Sequence, residues 1–260
     1  MSKKKTVCWN ITSRCNENCG YCYRILCDEE NSIEQNKEIL KKLVELKIER
    51  ITWTGGECLL YPHLYELLME SHKHNIKNNL ITNGKFLSPQ KIDKIEGLVD
   101  YITFSLDSLD EDVNETLGRG KKHANHIIEL LEYLEKKDIR VKLNSIVTQK
   151  NIESVKEVIE IVKKYSIERW KLFKFMALRG KSIERKEEFW INDEEYNKLI
   201  EELKKENLKC PVYGCEEEEI QKYLLIDPIG NFVITTEGKD KIICNYKEMN
   251  FQSIKEFLKE

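Results

Sequence analysis

The sequence predicts an α/β protein: a parallel sheet wound into a closed or half-closed (βα)6 barrel, followed by an extension of helix, β-hairpin and helix. Three observations carry this expectation. Strand-like runs alternate with helical patterns six times, and parallel strands need crossover helices between them. Several strands alternate polar with apolar residues, whereas strands buried in an ordinary doubly covered sheet read as continuous apolar runs. After residue 175 the alternation stops, so the chain runs out before eight units are made.

The elements follow in order. Strands are expected at residues 6–11, 50–54, 79–82, 101–107, 140–147 and 168–175, and helices at 33–46, 62–74, 88–95, 123–137 and 152–165. Ile127, Leu130, Leu131 and Leu134 show the helical spacing, and Asn151 and Asp193 are residue types that cap helix N-termini. Along 101–107, Ile102, Phe104 and Leu106 share one strand face, while Thr103, Ser105 and Asp107 share the other. Val141 and Leu143 likewise oppose Lys142 and Asn144, and Ile51 and Trp53 oppose Thr52 and Thr54. The apolar faces should pack on helices, which leaves the polar faces to line a ligand-sized interior or an exposed sheet. Beyond 178 come a basic loop at 179–186, a helix at 193–207 and an acidic turn or helix start at 216–219. Strands at 223–226 and 232–235 are joined by a turn at Asp227-Pro-Ile-Gly-Asn231, and a last helix spans 251–258. This divides the chain into a barrel over 1–178 and an extension over 179–260 packed on it.

Composition narrows the class. Hydrophobic residues make up 40% of the 260, enough for a large core. The net charge of −3 gives no reason to expect nucleic-acid binding. No apolar run approaches the roughly 20 residues of a membrane span, and no apolar stretch follows the lysine-rich start, so a cytoplasmic protein is expected. Nine cysteines, an odd number, fit metal or redox chemistry better than a disulfide framework.

Cys15-Asn-Glu-Asn-Cys19-Gly-Tyr-Cys22 places three cysteines at the spacing C-x3-C-x2-C in the loop after the first strand. Three thiolates can hold three irons of a [4Fe–4S] cluster and leave the fourth open to a ligand. Zinc is the competing occupant, although structural zinc sites prefer four closed ligands.

This motif, with Tyr21 before the third cysteine, resembles that of the radical SAM enzymes. Gly55-Gly56-Glu57 after the second strand and Thr82-Asn83-Gly84 after the third extend the likeness. The segments from Ser105 to Asn114, Leu117-Gly-Arg-Gly120, Lys142-Leu-Asn-Ser145, Arg169-Trp-Lys-Leu-Phe173 and Tyr223-Leu-Leu-Ile-Asp227 are similar, in the same order, to the viperin-like nucleotide dehydratases. The resemblance implies the following. Cys15, Cys19 and Cys22 hold a [4Fe–4S] cluster. Tyr21, Gly55, Gly56, Glu57, Thr82, Asn83, Ser105 and Arg119 bind S-adenosylmethionine, with Ser105 and Arg119 on its carboxylate. Arg50, Thr54, Lys142, Asn144 and Lys171 bind a nucleoside triphosphate such as CTP, UTP or GTP. Tyr223 is a candidate hydrogen donor near the ribose. The product would be the 3′-deoxy-3′,4′-didehydro nucleotide, formed through a 5′-deoxyadenosyl radical and used in antiviral defence. The electron donor would be a flavodoxin or ferredoxin.

The residues themselves leave alternatives. Lys142 and Lys171 either meet a bound anion or reach solvent at strand ends. Arg119 between two glycines is equally a solvated turn residue, and Tyr223 equally a half-buried hairpin tyrosine. Cys58 stands where the family usually has proline, and residues 23–28 lack its His-Thr pattern. Cys210, Cys215 and Cys244 could serve an auxiliary cluster, as in peptide-modifying relatives. The competing functions are therefore a radical SAM enzyme acting on a peptide or other small molecule, and a non-enzymatic metal-binding protein.

Overall fold

The computed structural model describes residues 5–248 and 251–259, so the lysine-rich start expected at residues 1–4 lies outside the described residues. One ten-stranded sheet organises them. Its strands are β1 (Thr6–Thr12), β2 (Arg50–Gly55), β3 (Lys77–Thr82), β4 (Tyr101–Ser105), β5 (Arg140–Val147), β6 (Ile167–Lys174), β7 (Val212–Cys215), β8 (Leu224–Ile226), β9 (Asn231–Thr236) and β10 (Lys239–Asn245). They lie in the order β10-β9-β8-β1-β2-β3-β4-β5-β6-β7. The stretch from β8 to β7 is parallel throughout, and β9 and β10 turn back antiparallel. β7 and β8 are not paired to each other, so the parallel part is an open barrel.

The crossover helices are α1 (Ile33–Glu45), α2 (Leu64–Lys73), α3 (Pro89–Ile95), α4 (Glu111–Leu117), α5 (His123–Leu134) and α6 (Val158–Lys164). Short helices α7 (Lys181–Glu184) and α8 (Lys186–Phe189) precede α9 (Asp193–Lys205), and α10 (Glu217–Ile220) and α11 (Phe251–Lys259) complete the set. On the outer face of the strands Val7, Trp9, Ile51, Trp53, Leu80, Ile102, Phe104 and Leu143 are fully buried against these helices. Trp9 stacks on Trp53 with ring centroids 5.0 Å apart.

Several expectations are corrected. The expected loop at 179–186 winds into α7 and the start of α8, closed by Ser182, whose hydroxyl accepts from Leu178 N at 3.1 Å. Asp193 is not the cap of α9. Asn192 is, its side chain accepting from Glu195 N, while Asp193 pairs with Lys174. Asn151 caps no helix: it is buried, donates to Asp107 O at 2.9 Å and Ile146 O at 2.8 Å, and ties the turn after β5 to the end of β4. The helix expected at 152–165 starts as a 3₁₀ turn and becomes α6 only at Val158. α4, β7 and β10 were not expected at all. α4 is a seven-residue helix capped by Asp110, too short to declare a period. The hairpin at 227–231 forms as expected, with Asp227 accepting from Ile229 N and Asn231 N.

Beneath the sheet, Asn78 is completely buried and satisfied on all sides. Its Oδ1 accepts from Trp53 Nε1 and from Ser71 Oγ, each at 2.8 Å, and its Nδ2 donates to Leu98 O at 2.8 Å. Replacing Asn78 with Ala would orphan the Trp53 indole and two further groups. The expected loss is about 2–4 kcal/mol of unfolding free energy, read from chemical denaturation followed by circular dichroism.

Candidate active site

The inner face of the open barrel is polar in the way the strand alternation requires. Thr52, Asn79 and Thr103 form a buried ladder: Asn79 Nδ2 donates to Thr52 Oγ1 at 3.3 Å and accepts at Oδ1 from Thr103 Oγ1 at 2.8 Å. Strand register sets the next layers. Thr103 lies beside Lys142 and Lys142 beside Arg169, while Ser105 lies beside Asn144 and Asn144 beside Lys171.

At the carboxyl ends of the strands a cavity opens. Its wall includes Cys15, Cys19, Tyr21, Cys22, Thr54, Gly55, Gly56, Thr82, Asn83, Ser105, Arg119, Asn144 and Tyr223, thirteen of the residues singled out from the sequence. Glu57, Arg50, Lys142 and Lys171 are not on that wall. Arg50 and Lys142 belong to strand layers nearer the amino ends and flank the Tyr101 ring, at 5.1 Å and 3.2 Å from its centroid, while Lys171 shares the layer of Ser105 and Asn144 and bonds Tyr223 on the wall.

The cysteine loop after β1 is built by its neighbours. Gly56 N donates to Thr12 O and Glu57 N to Arg14 O, each at 2.8 Å. A side chain at Gly56 would run into the Arg14 carbonyl, which is why the chain has glycine there. Asn18 N bonds Gly118 O at 3.2 Å, Gly20 N bonds Leu117 O at 3.0 Å, and Asn83 Nδ2 bonds Asn16 Oδ1 at 2.8 Å. The three thiols line one cavity and none is in a disulfide. Burial pushes the Cys19 thiol up to about 12 and raises that of Cys15, so binding iron here displaces protons. This donor set, three thiols on a pre-folded loop facing an open cavity, fits a cluster with one uncommitted iron.

Glu57 works beneath the cavity. Fully buried, it accepts from Thr82 Oγ1 and Asn83 N at 2.8 Å and from Leu59 N at 3.1 Å. It thereby locks the Gly55-Gly56 turn to the end of β3. Burial raises its carboxyl, and those three hydrogen bonds oppose the rise. Arg119 is no solvated turn residue: it is 7% exposed, and its Nε donates to Asp107 at 2.7 Å and its Nη1 to Glu17 at 3.0 Å. Burial opposes its charge, but Asp107 foremost, with Glu17, holds the guanidinium well above its ordinary range. Tyr21 donates to the same Asp107 carboxylate. Tyr223, half-buried, accepts a hydrogen bond from Lys171 Nζ.

Three residues of this region escaped the sequence reading. Glu17 lies between two of the cysteines and gave no sign of burial. Asp107 is placed by the sequence on the polar strand face but with no role of its own. Arg169 was legible: it stands two residues from Lys171 on one strand, so both face inward. Cys210, Cys215 and Cys244 occupy the two outermost strands of the sheet order or the segment beside them.

Comparison with known proteins agrees with this layout. The profile of the Radical SAM superfamily matches residues 9–162, more than half of the chain. An S-adenosylmethionine-dependent nucleotide dehydratase of Flammeovirga pacifica is 26% identical over 245 residues, covering 90% of this chain and 83% of that protein. One of the same name from a Thermoplasmatales archaeon (strain ISO4-H5) is 26% identical over 248 residues, covering 94% and 88%. Among solved structures, anSMEcpe with bound AdoMet and Cp18Cys peptide superposes with a TM-score of 0.75 at 15% identity, covering 96% of this chain and 79% of that one. Streptococcus suis SuiB bound to S-adenosylmethionine gives 0.74 at 14%, covering 96% of this chain but only 65% of its own, less than two thirds. At such identities the structural likeness is one of fold.

Gly118 offers a test of the loop. It has φ +91°, and a Cβ there would stand 2.5 Å from Asn18 O. Gly118→Ala should push the cysteine loop off its seat and at least halve the iron bound per chain after anaerobic reconstitution. Iron and sulfide assays beside wild type check this.

Proposed function

This chain belongs to the radical SAM superfamily, and from that membership we propose that it is a nucleotide dehydratase converting a ribonucleoside triphosphate to its 3′-deoxy-3′,4′-didehydro analogue. One observation carries the reading. Arg50, Lys142, Arg169 and Lys171 project from the inner strand faces, and among the described residues none of them pairs with a carboxylate. Lys142 and Lys171 are 6% and 8% exposed. The Nε atoms of Arg50 and Arg169 and the Oδ1 of Asn144 are buried without a hydrogen-bond partner. Buried cations left unpaired are expensive, and a triphosphate is the ligand that repairs this arrangement. The names of the relatives point the same way.

In this reading Cys15, Cys19 and Cys22 would hold the [4Fe–4S] cluster, with S-adenosylmethionine beside it. When bound, these supply the electron and the primary radical that takes hydrogen from C4′ of the ribose. The chain does the rest. Gly55 and Gly56 keep their backbone open to the methionine end, and Ser105 and Arg119 receive its carboxylate. Tyr21, Thr82 and Asn83 complete that pocket, and Glu57 holds the turn behind it. Arg50, Lys142 and Arg169 bind the phosphates in the deeper strand layers, Lys171 binds them from the layer of Asn144, and Thr54 and Asn144 bind the sugar. This places the ribose below the cysteine loop and near Tyr223. The Tyr223 hydroxyl, oriented by Lys171, would be the hydrogen donor that closes the step: its proton leaves with the 3′-hydroxyl as water, its electron completes the C3′–C4′ double bond, and the external electron donor reduces the tyrosine again, so no hydrogen is added to the ribose. A nucleotide without a 3′-hydroxyl terminates a growing nucleic acid, which suits antiviral defence.

Anaerobic incubation with S-adenosylmethionine, dithionite and each ribonucleoside triphosphate should give 5′-deoxyadenosine and one nucleotide lighter by a water, both read by mass spectrometry. If 5′-deoxyadenosine forms and every triphosphate returns intact, the substrate is not a nucleoside triphosphate and the peptide or small-molecule reading takes its place. Arg169→Ala should raise KM for the triphosphate by about tenfold or more, with little change in S-adenosylmethionine binding. Burial, with Arg169 and Arg50 alongside, lowers Lys142 to about 7. The free lysine is therefore charged below pH 7 and neutral above it, and binding the anion above pH 7 takes up a proton. The triphosphate Kd should rise by about fivefold from pH 7 to pH 8, as titration calorimetry in buffers of different ionisation enthalpy would show.

A further inference from the structure

We propose that Glu17, inside the Cys15–Cys19 spacer, is a positioning residue that pins the cysteine loop to the barrel rim and sets a low reduction potential for the cluster held there. The inference rests on the cluster and is independent of the substrate. The Glu17 side chain is 1% exposed. An acid so placed needs partners, and three separate segments supply them. Arg119, after α4, reaches Oε2 at 3.0 Å. Lys85, after β3, reaches Oε1 at 3.2 Å, and His123, opening α5, places Nδ1 3.5 Å from the same oxygen. Arg119 is held in turn by Asp107 at the end of β4. One carboxylate thus joins the cysteine loop to the ends of two strands and the start of a helix.

The same carboxylate is next to a ligand sulfur. Its Oε2 lies 3.7 Å from Cys19 Sγ. A negative charge there disfavours adding an electron to the cluster, and a positive charge nearby favours it. Glu17 and Lys85 should therefore move the potential in opposite directions, which loosened packing alone would not do. The fold tolerates the test. In Glu17→Gln, Arg119 keeps Asp107, and Lys85, whose side chain is 30% exposed, keeps its hydrogen bond to Arg119 O at 2.8 Å.

The experiment compares reconstituted wild type, Glu17→Gln and Lys85→Gln by iron content and by a redox titration followed by electron paramagnetic resonance. With iron content matched, Glu17→Gln should shift the equilibrium toward reduced cluster by about tenfold, or about 59 mV for one electron, and Lys85→Gln should shift it the other way. Equal potentials in wild type and Glu17→Gln, or shifts of one sign in both variants, would overturn the proposal. If Glu17→Gln takes up no iron, limited proteolysis of the cluster-free proteins decides. Faster cleavage between residues 13 and 30 in a variant with wild-type circular dichroism supports the pin, and unchanged cleavage overturns it.

Discussion

Charge buried inside an open barrel is the constraint on which this structure depends. Parallel strands ordinarily hide apolar side chains on both faces, yet here one face carries cations and amides. The molecule meets the cost in two ways. Near the carboxyl ends the charges balance internally: Glu17 and Asp107 meet Arg119 and Lys85. Deeper in the barrel they do not: Lys142 and Arg169, with Lys171 one layer above them, meet mainly aromatic rings and one another. Lys142 lies over Tyr101, and Lys171 lies over Phe173 and Tyr223. In the first region opposite charges meet, although Glu17 Oε1 and His123 Nδ1 are buried without a hydrogen bond. In the second, among the described residues, no carboxylate pairs with the cations.

That division separates scaffold from site in a way burial alone would not. Glu57 and Asp107 are as deeply buried as any leucine of the core, and both spend every bond on backbone or neighbouring side chains. Their task is to set the spacing of loops from four strands around one cavity. Because β1, β2, β3 and β4 each contribute one loop, a small shift of any one of them changes the fit of the whole wall.

Much of this was legible in the sequence, for physical reasons that differ from place to place. The polar strand faces declared themselves through a period of two, since Thr103 and Lys142 alternate with residues that must be apolar. The cysteine spacing declared its chemistry because few other uses need three thiols so close. β7 and β10 stayed hidden. β10 is a largely exposed edge strand, Lys239 to Asn245, with little apolar pattern, and β7 has four residues. The cap expected at Asp193 missed by one position because Asn192 and Asp193 are equally good cap types, and only the backbone selects between them, whereas Asn151 caps nothing because its amide bonds Asp107 O and Ile146 O. Glu17 was illegible because a lone acid among cysteines looks like a surface residue until Lys85, Arg119 and His123 are brought to it from 68 or more positions away, as the fold alone can do.

The contact between Lys171 and Tyr223 has a mechanical side. β7 and β8 do not pair, so no strand ladder closes the barrel at that seam. The Lys171 ammonium from β6 and the Tyr223 hydroxyl at the head of β8 span it in place of a ladder. A ladder is a row of backbone hydrogen bonds, whereas this seam carries one charged side-chain hydrogen bond, worth about 1–3 kcal/mol, beside a small apolar cluster of Cys215 and Ile220 with Phe173 and Tyr223 packed against them. The barrel is therefore closed at this seam by side chains alone, and the lysine that closes it is one of the cations that, among the described residues, no carboxylate meets.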